Sequence, residues 1–313
     1  MIGDRQFEDI LSESGGSTGE GGEAAFRMTD VGRAALPVVM AVPHAGRAYP
    51  STVLDNLRLP ELSAIKLEDR FVDRLAIEAG AATGAAMLMA RAPRAMIDLN
   101  RDPQDVDWGM VTGQRSEPRR TSAANRRARS GLGLVPRRLT QIGELWRHPL
   151  RQEDLDQRLR TIHRPYHECL SAMLDVLHDR FGVALLIDVH SMPPLPRPDG
   201  DLAPTEFVIG DRFGASCDAR LAQAATDYLS RKGRVVLRNR PYAGGYVLDR
   251  HAAPRRHIHG LQLEICRTTY LDTEMKALTV RSQAVARLLT GLVRHLADTL
   301  LELDGSWLAQ AAE

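Results

Sequence analysis

Residues 183–190 read VALLIDVH. A short apolar run rich in branched side chains suits a strand covered on both faces, since only such a strand buries every position. Gly182, just before it, is placed to end a helix. Asp188 and His190 are two positions apart, so on a strand they point the same way. Asp188 is then set to orient His190, or to cap a neighbouring loop.

The pattern continues outward on both sides. Upstream, Leu155, Leu159, Ile162, Tyr166, Leu170, Met173 and Leu177 recur at helical steps, which predicts a helix over Glu153–Phe181, kinked or broken at Pro165. Leu36–Val42 reads as a buried strand that runs into the loop PHAGRAYP. Leu62–Ala79 reads as one helix, and Met87–Ala90 and Ala95–Leu99 as two strands separated by Pro93. Downstream, the sequence predicts strands at Phe207–Ile209, Arg234–Leu237 and Leu261–Cys266. Helices are predicted over Ser216–Lys232 and over Thr273–Leu303, the latter with Thr273 as a candidate N-cap. Strands alternating with helices imply an α/β fold in a single domain: a mixed, mostly parallel central sheet with helices on both faces.

Two stretches stand apart. Residues 12–23 are almost all Gly, Ser and Glu, too polar to offset the entropy of ordering; residues 1–30 are expected to be a disordered leader, with the folded part starting near Val31. In residues 108–149, eight arginines fall between Arg115 and Arg138 among Gly, Ser and Pro. An insertion or solvated loop is expected there, with an anion- or RNA-binding arm as the other reading.

Bulk composition narrows the classes. A formal net charge of +1 over 313 residues argues against a dedicated nucleic-acid surface. Cys169, Cys217 and Cys266 are scattered and form no CxxC pair, so they read as small apolar residues in a reducing compartment rather than as disulfides or a thiolate zinc site. No stretch has the uninterrupted apolar length of a membrane span, and the first residues lack a signal pattern. A cytoplasmic protein with no membrane partner is expected. Nothing in the sequence decides for or against a homo-oligomer. No nucleotide-binding glycine pattern follows a strand.

The chemistry-bearing residues gather at strand ends. His44 follows the first strand, Asn100 and Arg101 follow AMIDL, His190 ends VALLIDV, and Glu264 lies in LQLEIC. Ligands of open α/β sheets bind at the carboxyl ends of strands. Two histidines and a carboxylate can hold zinc with a fourth position open, a further carboxylate can take a proton from water, and an arginine can grip a substrate carboxylate. Glu264 alternates with Leu261, Leu263 and Ile265, so it faces either a site or solvent.

VPHAGRAYP, EDRFVDRL, AMIDLNRDP, LLIDVHSMP, GDRFGASCD, NRPYAGGY and LQLEICRTTYLD occur in this order between Pro37 and Asp272. Together they resemble the N-formylglutamate amidohydrolase family, related to zinc carboxypeptidases and aspartoacylases. The resemblance implies a phosphorylase/hydrolase-like α/β domain with one Zn2+ per chain. It also implies hydrolysis of N-formyl-L-glutamate to formate and L-glutamate, in histidine degradation. His44 and His190 match the zinc histidines. Zinc carboxypeptidases place the acid ligand three positions after the first histidine, where this chain has Arg47; the EDR segment supplies the replacement, Asp69 first and Glu68 second. Glu264 matches the general base, and Asn100 with Arg101 matches the grip on the substrate's α-carboxylate. Arg94 and Arg240 are candidates for the side-chain carboxylate or the polarised carbonyl, with structural ion pairs equally open. Tyr246 and Ser191 are candidate lining residues, and Gly244–Gly245 a tight turn near the substrate. The alternatives are a related N-acyl amino acid deacylase, a small carboxypeptidase, or a non-catalytic module using the arginine-rich stretch.

Overall fold

The computed structural model describes residues 10–19, 23–113, 126–140, 142–195 and 204–310. Eight strands build one sheet: β1 (Glu13–Gly15), β2 (Phe26–Met28), β3 (Val38–Val42), β4 (Ala86–Ala90), β5 (Ala184–Met192), β6 (Phe207–Gly210), β7 (Val236–Arg238) and β8 (Ile258–Cys266). They lie in the order β1-β2-β4-β3-β5-β8-β6-β7. The central four are mutually parallel, β6 runs antiparallel to β8, and β2 runs antiparallel to β4. VALLIDV is therefore a central strand, as its unbroken apolarity requires.

Strand alternation splits the core into two layers. Leu185, Ile187 and Val189 of β5, with Leu261, Leu263 and Ile265 of β8, face the helices Val72–Thr83 (α3), Ala219–Arg231 (α6) and Ser282–Gln310 (α8). Ala184 and Leu186 face the other way, against Tyr166, Leu170, Met173 and Leu174 of the helix Arg164–Phe181 (α5). Among the described residues no helix is long and apolar enough to cross a membrane. The three cysteines are free thiols.

Five expectations need correction. The leader is not wholly outside the fold: β1 and β2 extend the sheet edge, because Phe26 is buried edge-on to Tyr166, with ring centroids 5.7 Å apart. Gly15 makes room for that ring, since a Cβ there would lie 2.6 Å from it. Residues 1–9 and 20–22 lie outside the described residues. Ala95–Leu99 is not a strand but a run of turns, with Met96 N bonded to Pro93 O and Asp98 N to Leu134 O. The single helix expected over Leu62–Ala79 is two, Pro60–Leu67 (α2) and α3. The last helix begins at Ser282, not Thr273, because residues 273–281 turn back so that Thr279 N reaches Tyr270 O. The arginine-rich stretch is built into the body where it is described: Leu134, Val135, Leu145 and Trp146 are buried against the α5 layer. Residues 114–125 and 141 lie outside the described residues.

The long helix over Glu153–Phe181 does change character near Pro165, as a π-helical turn, Leu159–His163, between Gln152–Arg158 (α4) and α5. We expect Phe26→Ala to cost about 3–5 kcal/mol of unfolding free energy, as for other buried aromatics. Urea denaturation followed by circular dichroism checks this; an unchanged midpoint would place residues 23–30 outside the cooperative fold.

Candidate active site

Three parallel strands present the site at their carboxyl ends. After β3 the chain turns at once and exposes His44 to the end of the sheet. In the β5–β8 ladder, Asp188 pairs with Gln262 and His190 with Glu264. These four occupy the face that is apolar further down the strands. Alternation thus forces four polar side chains to share one buried wall, none more than 7% exposed. Glu264 faces this wall rather than solvent.

The acid comes from the break between α2 and α3. Residues 68–71 leave the helix, and Phe71 takes φ 58°, a left-handed conformation that a bulky residue rarely adopts. Asp69 N bonds His44 O at 2.9 Å, which fixes this turn against the loop after β3. Arg267, just beyond β8, reaches over: its guanidinium donates to Ile65 O, to Glu68 O and to Asp69 Oδ1 at 3.1, 2.6 and 3.3 Å. It therefore satisfies carbonyls that the end of α2 leaves open. Glu68 points away toward Arg70, 3.7 Å distant, so of the two acids Asp69 is the one at the centre.

His44 Nδ1, His190 Nδ1 and Asp69 Oδ2 converge. The two nitrogens are 3.1 Å apart, and they lie 3.5 and 3.1 Å from the carboxylate oxygen. Tetrahedral ligands at bonds of about 2.0–2.2 Å stand roughly 3.3 Å from one another, so the spacing fits one small divalent ion. The outer nitrogens strengthen the fit. His44 Nε2 is 2.7 Å from Asp98 Oδ1, and His190 Nε2 is 2.8 Å from Asp188 Oδ2. Each buried carboxylate holds the proton on Nε2 and leaves the Nδ1 lone pair free for the centre, the carboxylate–histidine–metal arrangement.

Charge agrees with this. Burial opposes charge on the His190 imidazole, yet Asp188 and Asp69 raise it well above its usual value. Burial likewise opposes ionisation of Asp69, yet the contacts with His190 and His44 hold its carboxyl well below the usual range. The centre thus favours a cation. Glu264 differs: burial pushes its carboxyl up to about 7, with Asp69 and Asp188 adding to the shift while His190 and Arg94 oppose it. Its Oε1 accepts the Gln262 amide at 2.9 Å.

A cavity of about 210 Å³ opens onto these groups. Arg94, Arg101, Arg127, Lys66 and Arg267 line it, with Asn100, Ser191, Tyr242, Gly244 and Gly245. Asn100 is fixed on both sides: Oδ1 accepts Val247 N at 2.8 Å, and Nδ2 donates to Asp188 and Gln262, each at 3.3 Å. Gly245 is required by this approach, because a Cβ there would lie 2.4 Å from Asn100 Oδ1. Arg94 Nε and Arg101 Nε stand 2.9 and 3.8 Å from Asp98. A larger hollow of about 390 Å³ lies at the amino ends of β5 and β8, beside Val183 and His259. Its Asp218, His257 and His259 do not converge on one point as His44, Asp69 and His190 do.

Two expected site residues are elsewhere. Arg240 is exposed and does not line the cavity. Tyr246 turns its ring onto His163 and His167, at centroid distances of 5.6 and 5.0 Å, and its hydroxyl accepts from Arg250. Conversely, Asp98, Gln262, Arg127, Tyr242 and Arg267 were not singled out from the sequence. Arg267 had a signal, since it directly follows the carboxyl end of a strand, and so did Gln262, which lies two positions before Glu264 and shares its face.

Comparison with known proteins follows the same line. Residues 36–271 match the family model described as N-formylglutamate amidohydrolase, a span that runs through the arginine-rich stretch. The chain is 31% identical over 242 residues to an N-formylglutamate deformylase of Pseudomonas putida, covering 76% of this chain and 82% of the relative. It is 29% identical to an N-formylglutamate deformylase of Pseudomonas aeruginosa, covering 86% of this chain and 94% of that one. The crystal structure of N-formylglutamate amidohydrolase from Ralstonia eutropha JMP134 superposes with a TM-score of 0.79 at 27% identity, covering 89% of this chain and 99% of that chain. With its sheet, its clustered acids and imidazoles, and a matched span of this length, the chain belongs to the N-formylglutamate amidohydrolase family.

Proposed function

We propose that this chain hydrolyses the formyl amide of N-formyl-L-glutamate, releasing formate and L-glutamate, and that it serves histidine degradation. One Zn2+ is held by His44, Asp69 and His190. The observation that carries the reading is the paired commitment of both histidines: outer nitrogens on buried carboxylates, inner nitrogens meeting at Asp69. A zinc ion there supplies Lewis acidity to the amide carbonyl and lowers the pKa of water.

The chain's own groups do the rest. Arg101 spends Nε on Leu132 O and Nη1 on Asn100 O and lines the cavity, which leaves Nη2 for the substrate's α-carboxylate. Arg94, held charged by Asp98 against the cost of burial, lines the cavity and serves the carbonyl or the side-chain carboxylate. Binding both carboxylates fixes the amide in place. With Oε1 occupied by Gln262, Glu264 takes the proton of the attacking water at Oε2 and returns it to the leaving amine.

Formate release by the zinc-loaded protein from a panel of N-formyl and N-acetyl amino acids tests this. N-formyl-L-glutamate is expected to lead its one-methylene-shorter homologue by about 10-fold or more in kcat/KM. A preference for acetyl substrates would instead favour a sister deacylase, and no turnover with zinc-free protein that binds RNA would favour the binding module. Arg101→Ala is expected to raise KM about 10–100-fold, the worth of a charge-assisted hydrogen bond, with a smaller change in kcat. An unchanged KM would remove Arg101 from the substrate grip.

A further inference from the structure

Behind the wall that carries Asn100 and Arg101 lies a polar cluster that the reaction does not touch. His163, His167 and His251 are 2, 1 and 6% exposed, and Ser171 joins them from the next turn of α5. His163 and His167 are four residues apart across the π turn and α5, so they share one helix face, with ring centroids 4.5 Å apart. His251 comes from the last turn of α7 (Tyr246–His251).

The hydrogen bonds of this cluster have only one possible direction. His167 Nε2 is 3.0 Å from Leu99 O. A carbonyl only accepts, so the proton sits on Nε2 and His167 Nδ1 is an acceptor. His251 Nε2, 2.9 Å from that Nδ1, must therefore be the donor. That leaves His251 Nδ1 as an acceptor for the Ser171 hydroxyl at 3.2 Å. A chain of donors thus runs from Ser171 to His251 to His167 and ends on Leu99 O. Beside it, His163 Nε2 donates to Arg101 O at 3.0 Å. Burial lowers all three imidazoles, His251 to about 3, so the cluster stays neutral and its direction is fixed.

Three successive carbonyls are anchored in this way: Leu99 O by His167, Asn100 O by Arg101 Nη1 at 2.8 Å, and Arg101 O by His163. The opposite side of the strip is held by Val247 N on Asn100 Oδ1, from the first turn of the helix that ends in His251. We propose that His163 and His167, supported by His251 and Ser171, are positioning residues that lock the 99–101 strip, with Asn100 tied to the wall, so that Arg101 meets the substrate carboxylate in one geometry. This rests on the functional reading above. Neither histidine touches substrate or metal, and the effect passes through the backbone of the strip.

His167→Phe and His163→Phe keep a ring against Tyr246 and remove the donor to the strip; His167→Gln restores an N–H near Nε2. A grip made in ground and transition state alike moves KM alone. For one lost buried hydrogen bond, both phenylalanine variants are expected to raise KM about 10-fold, with kcat within about threefold, one zinc per chain retained, and KM largely restored in His167→Gln. Product binding, read as the Kd of L-glutamate by calorimetry, is expected to follow the same order. If His167→Phe fails to fold, His163→Phe reads the other half of the clamp. Wild-type turnover with an unmoved KM in the variants, or a KM rise that glutamine leaves uncorrected, overturns this inference alone. A wild-type protein that neither releases formate nor binds L-glutamate overturns the functional reading as well.

Discussion

Glu264→Gln is expected to retain one zinc per chain and lose about 10³-fold in kcat/KM, within the 10²–10⁴ range of general-base catalysis and equal to about 4 kcal/mol of transition-state stabilisation. Glutamine has nearly the same shape, and its oxygen can still accept the Gln262 amide that now bonds Glu264 Oε1. The wall of β5 and β8 should therefore remain, and only the proton acceptor is lost. The wild-type pH profile adds a check. Burial pushes the Glu264 carboxyl up to about 7, and a base works only when deprotonated, so kcat/KM must rise with pH through its pKa. A divalent ion beside it favours the carboxylate, which places the acidic limb below 7. Formate release against pH, with metal content measured on the same samples, tests both points. Near-normal turnover in Glu264→Gln would remove the base from the mechanism.

His190→Ala and Asp69→Asn are expected to abolish turnover by emptying the centre. Removing a ligand takes away a metal–donor bond and leaves the remaining charges poorly balanced. Asp188→Asn is a graded version: it keeps a hydrogen-bond acceptor for His190 Nε2 but loses the charge. Loss of such a supporting carboxylate costs about 10–100-fold in metal affinity. Competition with a chelating dye measures this without substrate, so the contact of Asp188 with Asn100 does not confuse the result. Full zinc occupancy in His190→Ala would mean that the ion lies elsewhere. Dialysis against a chelator should abolish wild-type turnover, and added zinc should restore it.

The fold was legible wherever one signal decided it. VALLIDV had to be covered on both faces, and a strand bearing His190 at its carboxyl end had to open on the ligand edge of the sheet. The same rule located His44 and Glu264. It was less complete where tertiary contacts overrode local pattern. Leu62–Ala79 has continuous helical spacing, yet the helix stops at Leu67, where Arg267, about two hundred positions later, takes up the carbonyls of 65 and 68. Ala95–Leu99 is apolar apart from Asp98 and reads as a strand, but its backbone is bonded in turns, with Asp98 committed to His44 and Arg94. The polar leader hides Phe26, one aromatic that finds a pocket under Tyr166. Tyr246 and Arg240 lie in a motif near the cavity, but sequence proximity does not set side-chain direction: α7 turns Tyr246 toward the histidine cluster behind the wall.

The reach of Arg267 across to the turn that carries Asp69 also sets an order of assembly. His44 and Asp69 leave the ribosome early, and β5 follows with His190, but β5 finds its neighbour β8 only when most of the polypeptide has been made. Until Arg267 emerges, the carbonyls of 65 and 68 and Asp69 Oδ1 lack its guanidinium, and the bond of Asp69 N to His44 O holds the turn without it. A nascent or truncated chain would thus display two imidazoles with a third partner not yet locked by Arg267, and tight capture of an ion there would be a late event, coupled to completion of the domain rather than preceding it.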